Sequence, residues 1–256
     1  MSRFRARVEY DGTDFIGFQV NPGTRTVQGV LEDALASLGN EADPRVDGAG
    51  RTDAGVHATG QVIAFSYDGR LTVPELGRAL DALLPADVSI ADVRAQPDTF
   101  HPRFAARYRE YRYTVWNGPR SPLRERTALG LRIPLDTAAM ERAGSVFIGR
   151  HDFSTFGVAD RSPVRTVMAV RVRRNGRTVT IDVRADAFLR GMVRRIVACL
   201  LEVGLGKMDE QAVRSALAGP GPALGGTSAP PKGLCLRRVA YGRRSGGEMN
   251  GAHEER

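Results

Sequence analysis

One segment of the sequence combines an acidic and a basic side chain within a run of small residues. In GAGRTDAGVHATGQVIAF, residues 48–65, Arg51 and Asp53 lie among four glycines. Glycine permits tight turns and lets a ligand approach the backbone closely. A carboxylate in such a loop can act as a nucleophile or a general base, but most loop aspartates only form turns. The segment alone leaves both interpretations of Asp53 open.

The charge of the chain indicates a polyanionic partner. Of the 256 residues, 37 are Lys or Arg and 29 are Asp or Glu, so the formal net charge is +8 and the isoelectric point is about 10.1. The basic residues are concentrated in the second half, with ten Arg in 161–195 and eight in 101–132. This distribution favours nucleic acid as the partner. The preference for Arg over Lys suits phosphate binding but can equally reflect a GC-rich genome.

The hydrophobic content, 42%, is enough for one large or two small domains that each bury a core. Overall disorder is therefore excluded. No stretch reaches the roughly 20 apolar residues needed to cross a bilayer, and the N-terminal MSRFRARVEY lacks the long apolar block of a signal peptide. We therefore expect a cytoplasmic protein without membrane contact.

The cysteines and histidines are too scattered to predict a metal site. Cys199 lies in the apolar run IVACLLEVG, far along the chain from Cys235, which indicates buried thiols rather than a disulfide or metal ligands. His57, His101 and His151 lack the spacing of metal ligands. We expect these histidines to be structural or to contact the backbone.

The first half of the chain reads as strand, helix, two strands, helix and strand. FRARVEY alternates as a half-buried strand does, and Thr26 can cap a helix through VQGVLEDALASLG. Strands are predicted around 45–50 and 60–67. Pro74 is expected to open a second helix, PELGRALDALL, and VSIADVRA is expected to form the last strand.

The second half repeats that order. The predicted elements are the strand ARYREYRYTVWN, the helix TAAMERAGSVFIG, the strands VRTVMAVRVRR and RTVTIDVRAD, the helices AFLRGMVRRIVACLLEVG and DEQAVRSALAG, and a strand near GLCLRRVAY. Asn175-Gly176 between two alternating runs is a strong hairpin signal. GPGPALGGTSAPP reads as a surface loop.

The repeated order predicts an α/β fold, more narrowly α+β, made of two related split-βαβ units of the ferredoxin or RRM kind. A chance repeat is the alternative. The units are residues 1–104 and 105–244, followed by a disordered tail, 245–256. Sheets of this kind present an open face to single-stranded RNA, so we expect the two antiparallel sheets to flank a central basic cleft.

Six blocks of the sequence resemble one enzyme family. GRTDAGVHA is similar to the signature of the tRNA pseudouridine synthase A (TruA) family. Five further blocks resemble parts of that family and occur in the same order along the chain. They are YDGTDFIGFQ with RTVQGVLEDAL, FHPRFAARYREYRY, HDFSTFG, ADAFLRGMVRRIV and APPKGLCL. The chain departs from the family's usual residues at Asp186, Pro102 and Asn21, where Asn, Ala and Gln are more common.

The resemblance implies both an activity and a set of site residues. It implies isomerisation of uridines 38 to 40 in the tRNA anticodon stem-loop, by a homodimer in which one tRNA contacts both subunits. Asp53 matches the catalytic aspartate, Arg194 the arginine beside it, and Tyr111 the tyrosine that packs against the uracil. Arg51 is expected to help expel the target nucleotide from its stem. Without the resemblance, Tyr111 reads as a packing residue, Arg194 as an exposed helix arginine and Arg51 as a brace for its loop.

The implied reaction needs no cofactor. It breaks the bond from ribose to the uracil nitrogen and rejoins the rotated base through carbon 5, without redox equivalents or an energy donor. The carboxylate can attack as a nucleophile or remove a ribose proton, and the sequence does not separate these routes. Either route requires ionised Asp53 with a cation nearby to offset desolvation.

Two other classes of function compete with this interpretation. A non-catalytic RNA-binding module would use the same charge and the same paired units, but it has no use for the acidic side chain of GRTD beside polyanionic RNA. A metabolic enzyme with a phosphate site would need a P-loop or a G-x-G-x-x-G after a strand, and the sequence has neither.

Overall fold

The computed structural model describes residues 2–39, 44–158, 162–219 and 228–242. The predicted tail, 245–256, and most of the predicted loop GPGPALGGTSAPP lie outside these described residues. In the described chain no helix is both long and apolar enough to span a membrane.

The first half contains the predicted order of elements. They are β1 (Ser2–Tyr10), α1 (Val27–Ser37), β2 (Val46–Gly48), β3 (His57–Tyr67), α2 (Val73–Leu83) and β4 (Val88–Gln96). The Thr26 side chain accepts a hydrogen bond from the Gly29 N–H and caps α1 as predicted. Helix α2 begins one residue before Pro74, because Thr72 and Glu75 form a capping box around its first turn.

The second half contains the predicted elements and two further short strands. They are β5 (Ala106–Asn117), β6 (Leu129–Leu131), α3 (Thr137–Ser145), β7 (Gly149–Asp152), β8 (Val164–Asn175), β9 (Thr178–Ala185), α4 (Met192–Gly204), α5 (Glu210–Ala218) and β10 (Leu234–Tyr241). The hairpin predicted at Asn175-Gly176 is confirmed, since Asn175 pairs with Thr178 across the turn. Strands β6 and β7 are too short to produce a recognisable alternation in the sequence.

Helix α4 starts later than the sequence predicted. The apolar pattern begins at Ala187, but the helix begins at Met192, because Gly191 has a φ of +75°. That left-handed conformation interrupts a right-handed helix. Residues 187–190 therefore form an irregular segment, and this segment lines a cleft.

The strands form one continuous ten-stranded sheet, whereas the sequence predicted two sheets. The order is β4-β1-β3-β10-β5-β9-β8-β7, with β2 on β3 and β6 on β5. Strand β10 joins the halves, because it pairs parallel with β3 and antiparallel with β5. Within each half the predicted strands have the same neighbour order: fourth, first, third, second. The buried apolar side chains of both halves form one cluster.

Both cysteines are free thiols, as predicted, but Cys235 is only partly buried. Cys199 is buried in α4, and burial raises the pKa of its thiol to about 12. Burial also raises the pKa of Cys235. Both side chains therefore remain protonated and unreactive near neutral pH.

Candidate active site

The loop after β2 carries Asp53 to the place where the two halves of the chain meet. Strand β3 uses one edge for two partners, since β2 pairs with residues 63–65 and β10 pairs with residues 57 and 58. Residues 49–56 leave the sheet between these two pairings. The loop is therefore held between the first half and the last strand of the chain.

Two glycines of the YDGTDFIGFQ block let the backbone approach this loop. A Cβ atom on Gly12 would lie 2.0 Å from the carbonyl oxygen of Val56, and one on Gly17 would lie 2.9 Å from that of Thr52. Gly17 also has a φ of +84°, which favours glycine. Residues 12–18 thus pack directly beneath the loop that carries Asp53.

Hydrogen bonds fix the same contact. The Phe18 N–H donates to the Thr52 carbonyl (3.1 Å), and the Gly55 N–H donates to the Phe15 carbonyl (3.2 Å). The Thr52 hydroxyl is 2.8 Å from the buried Tyr10 hydroxyl. The backbone on both sides of Asp53 is therefore anchored before any substrate binds.

The Asp53 carboxylate pairs with a cation from the other half of the chain. The Nη1 of Arg194 donates to Asp53 Oδ2 over 3.3 Å, and 32% of the Asp53 side chain is exposed. Arg194 Nε donates to the Ala229 carbonyl over 2.7 Å, which orients the guanidinium. Arg194 lies in the first turn of α4, where the helix dipole disfavours a cation, so the carboxylate compensates for this placement.

Tyr111 lies on β5 with its side chain buried beside the same cleft. Its ring meets that of Phe188 edge to face, with the centroids 5.2 Å apart. Burial raises the pKa of Tyr111, and the charge of Asp53 adds to this effect while that of Arg109 opposes it. The phenol therefore stays neutral near physiological pH and can donate a hydrogen bond or stack.

Arg51 is exposed at the wall of the cleft. It makes no hydrogen bond or ion pair with any part of the chain that the structure describes. Its side chain is therefore available to a ligand instead of bracing its own loop.

A single cleft of about 720 Å³ collects the four predicted site residues. Asp53, Tyr111, Arg51 and Arg194 all line it, although they come from a loop, a strand and a helix of both halves. Four further arginines line the same cleft: Arg103, Arg109, Arg165 and Arg190. The volume is in the range of small-ligand sites, and the arginines suit a phosphate-bearing ligand.

A buried arginine that the sequence analysis missed connects three segments of the cleft. Arg109 donates to the carbonyl oxygens of Ala49 (2.8 Å), Arg103 (2.6 Å) and Asp186 (2.9 Å). Burial lowers the pKa of Arg109, but an arginine remains charged. Arg109 and Tyr111 are two residues apart on β5 and therefore lie on the same face of the strand. This spacing was the available signal, because it predicts an arginine on the buried face.

The histidines contact backbone, as predicted. His57 Nδ1 accepts from the Gly12 N–H (3.0 Å), while its Nε2 lies 2.9 Å from the Arg126 carbonyl and 3.1 Å from that of Lys232. His101 Nδ1 accepts from a backbone N–H two residues later. Among the residues described, no group of three His, Cys, Asp or Glu side chains could hold a metal ion.

Comparison with known proteins gives consistent matches over most of the chain. A profile of the family described as tRNA pseudouridine synthase matches residues 6–105 and 143–242. The protein named tRNA pseudouridine synthase A from Geotalea uraniireducens is 41% identical over 94% of this chain and 100% of its own length. The protein of the same name from Geobacter sulfurreducens is 40% identical over the same shares.

A match to a solved structure is much weaker. The crystal structure of an archaeal box H/ACA small ribonucleoprotein complex covers 92% of this chain and 48% of the matched chain, with 13% identity and a TM-score of 0.35. A likeness of this size carries no argument about function.

Proposed function

Because this chain belongs to the tRNA pseudouridine synthase family, it is an isomerase that acts on tRNA, and we propose that Asp53 is its catalytic nucleophile. We propose uridines 38 to 40 of the anticodon stem-loop as its targets. The observation that carries the assignment of Asp53 is its position: a carboxylate in the lining of the arginine-rich cleft, paired with Arg194 and close enough to Tyr111 to influence its charge.

The reaction conserves every atom of the nucleotide. The bond from C1′ of the ribose to N1 of the uracil breaks, the base rotates, and a bond from C1′ to C5 forms while the C5 proton moves to N1. In the nucleophilic route the Asp53 carboxylate forms a bond to C1′ as the bond from C1′ to N1 breaks. Attack of C5 on C1′ then breaks the bond to the carboxylate and restores the enzyme. The route requires an ionised carboxylate, and the Arg194 guanidinium pairs with the Asp53 carboxylate at 3.3 Å.

The other cleft residues have separate roles in this proposal. Tyr111 packs its neutral ring against the uracil, and its hydroxyl can contact the base during transfer of the C5 proton. Arg51 reaches toward the stem and fills the space left by the flipped nucleotide. Arg194 holds the Asp53 carboxylate in place and also supplies a positive charge beside it.

We propose that the chain consists of two related split-βαβ units, residues 1–104 and 105–244, which lie on either side of a basic RNA-binding cleft. Two observations support the duplication. The strands of both halves have the same neighbour order, and one family profile matches each half separately.

The assembly and location are proposed from the family resemblance. We propose a cytoplasmic homodimer in which one tRNA contacts both subunits. We also propose that catalysis needs no cofactor, because the isomerisation involves no net transfer of electrons and consumes no energy donor.

A pseudouridine-specific chemical map tests the target positions. A tRNA transcript with uridines at 38, 39 and 40 is incubated with the purified protein, alongside transcripts in which each of these uridines is replaced by cytidine. We expect new signals at these positions only, each abolished by its own replacement. Signals elsewhere in the tRNA would show that the target assignment is wrong, even if the protein is a synthase.

A further inference from the structure

An exposed aromatic ring lies at the edge of the cleft. All ten phenylalanines lie in described parts of the chain, and only Phe104 is exposed, with 77% of its surface open to solvent. Phenylalanine is one of the residues most often buried in proteins. Phe104 lines the same cleft as Asp53 and Arg51. Other apolar side chains are also exposed, but Phe104 presents its ring within the cleft, where a ligand bound beside Asp53 can contact it.

The turn that presents Phe104 is held from several sides. The Ala105 N–H donates to the His101 carbonyl (3.0 Å), and the buried Arg109 donates to the Arg103 carbonyl (2.6 Å). The Tyr241 hydroxyl donates to the carbonyl of Pro102 (3.0 Å). The ring is thus displayed on an anchored turn, which lowers the entropy lost when a ligand binds.

The groups around Phe104 indicate the chemistry of that ligand. The His101 ring lies 4.4 Å from the Phe104 ring at an angle of 45°, and the Arg103 guanidinium carbon lies 5.9 Å from its centroid. An exposed aromatic ring with arginines beside it is the arrangement by which proteins stack unpaired bases and hold their phosphates. The cleft beside this ring has six arginines in its lining together with apolar side chains, which suits the phosphates and flat bases of RNA better than an apolar protein surface.

We propose that Phe104 is a stacking platform for an unpaired base next to the target uridine. This rests on the proposed function, since removal of a uridine from its stack leaves its neighbours with an uncovered face. Phe104 covers one of those faces and so stabilises the open form of the RNA. The ring binds any base, because every base has a π face.

The test compares Phe104→Ala, Phe104→Leu and Phe104→Trp with a matched control, Leu123→Ala. Leu123 is 94% exposed and is not part of the cleft lining. The substrate is an anticodon stem-loop with 2-aminopurine in turn at each position flanking the target. Affinity, single-turnover rate at saturating protein and 2-aminopurine fluorescence are measured.

We expect Phe104→Ala to weaken stem-loop binding about 5- to 150-fold, the range for loss of one stacked base. Phe104→Leu should lose as much, since it retains apolar area without a ring, while Phe104→Trp should bind at least as well as wild type. One flanking 2-aminopurine should be quenched by the wild-type protein and remain bright with Phe104→Ala. Leu123→Ala should match wild type throughout.

Three results would overturn the proposal. They are unchanged affinity and quenching in Phe104→Ala, full activity and quenching in Phe104→Leu, and a shift of the RNA-free protein to a different oligomeric state on loss of the ring. Failure of the proposed function is a separate result: the wild-type protein would then form no pseudouridine, while the dependence of stem-loop binding on the ring could still be measured.

Discussion

Asp53 has one carboxylate oxygen bound by Arg194 and about a third of its side chain open to the cleft. We expect Asp53→Asn and Asp53→Ala to abolish pseudouridine formation while tRNA affinity remains nearly intact, because in the proposed mechanism the carboxylate performs the chemistry and the arginines supply the binding. Single-turnover assays and tRNA binding check this. Turnover above a hundredth of wild type, about 2.7 kcal/mol of barrier, would exclude an essential nucleophile.

A control for that experiment is Asp92→Asn. Asp92 is also an aspartate paired with an arginine, Arg7 at 2.8 Å, but it lies outside the cleft lining. Its φ of 55° suits asparagine as well as aspartate. We expect wild-type turnover from this variant, so that loss in Asp53→Asn is not a general effect of charge removal.

The neutral state of Tyr111 leads to a prediction about pH. Burial raises the pKa of Tyr111, so its phenol remains protonated across the working range. Between pH 6 and pH 9, the wild type and Tyr111→Phe should have different rates but the same dependence of the rate on pH. A wild-type rate that climbs with pH while the Tyr111→Phe rate stays flat would indicate a phenolate base and contradict this assignment.

At the scale of elements, we expect activity to depend on the segment beneath the Asp53 loop, residues 12–18, as much as on the loop itself. We expect Gly12→Ala to lower kcat about 100-fold, because the new Cβ would lie 2.0 Å from the Val56 carbonyl oxygen and must displace the loop. The variant should also melt at a lower temperature. Gly130→Ala is the matched control, since nothing lies within 4 Å of its Cβ position and it should behave as wild type.

An ion pair between two loops makes stability depend on pH. Arg25, which precedes α1, forms two hydrogen bonds of 2.7 and 2.8 Å with Asp87, which precedes β4. The Arg25 guanidinium holds the pKa of the Asp87 carboxyl below its usual value. The pair therefore stabilises the fold above the unfolded-state pKa, about 3.9, and the contribution disappears as pH falls through the lower folded-state pKa.

The variant Asp87→Asn measures this contribution. At pH 7 we expect it to lower the free energy of unfolding by up to about 1 kcal/mol, because both partners are partly exposed to solvent. Urea denaturation at pH 7 and at a pH below the folded-state value gives the two comparisons. The difference between variant and wild type should shrink at the lower pH, and a difference that grows there would contradict the assignment.

At the scale of the whole molecule, tRNA binding should be electrostatic. With a formal charge of +8 and arginines along the cleft, affinity should fall steeply with salt as counterions are released. Arg190→Gln, on the cleft, should reduce the slope of log affinity against log salt by about 0.7 to 0.9. Arg214→Gln, paired with Glu210 on α5, should leave the slope unchanged. Equal slopes for all three proteins would place the RNA elsewhere.

The amino-acid sequence by itself determined the order of the main elements, the central hairpin, the helix caps and the family. These features depend on residues close together in the chain: Thr26 caps its own helix, and Asn175-Gly176 turns its own hairpin. The start of α4 is the exception, because an apolar pattern does not reveal that Gly191 adopts a left-handed conformation. The family blocks named the four site residues in the same way, one segment at a time.

Only the tertiary structure decided how those segments meet. Asp53 and Arg194 are 141 residues apart and lie 3.3 Å from each other, because β10 pairs with both β3 and β5 and merges the halves into one sheet. Arg109 likewise joins carbonyls from three separate segments. Such contacts are selected by hydrogen-bond satisfaction and packing across the whole chain, whereas propensity and periodicity act over a few residues. That difference in range is the reason that the candidate site residues could be named from sequence, whereas the role of Arg109 in joining the segments around them could not.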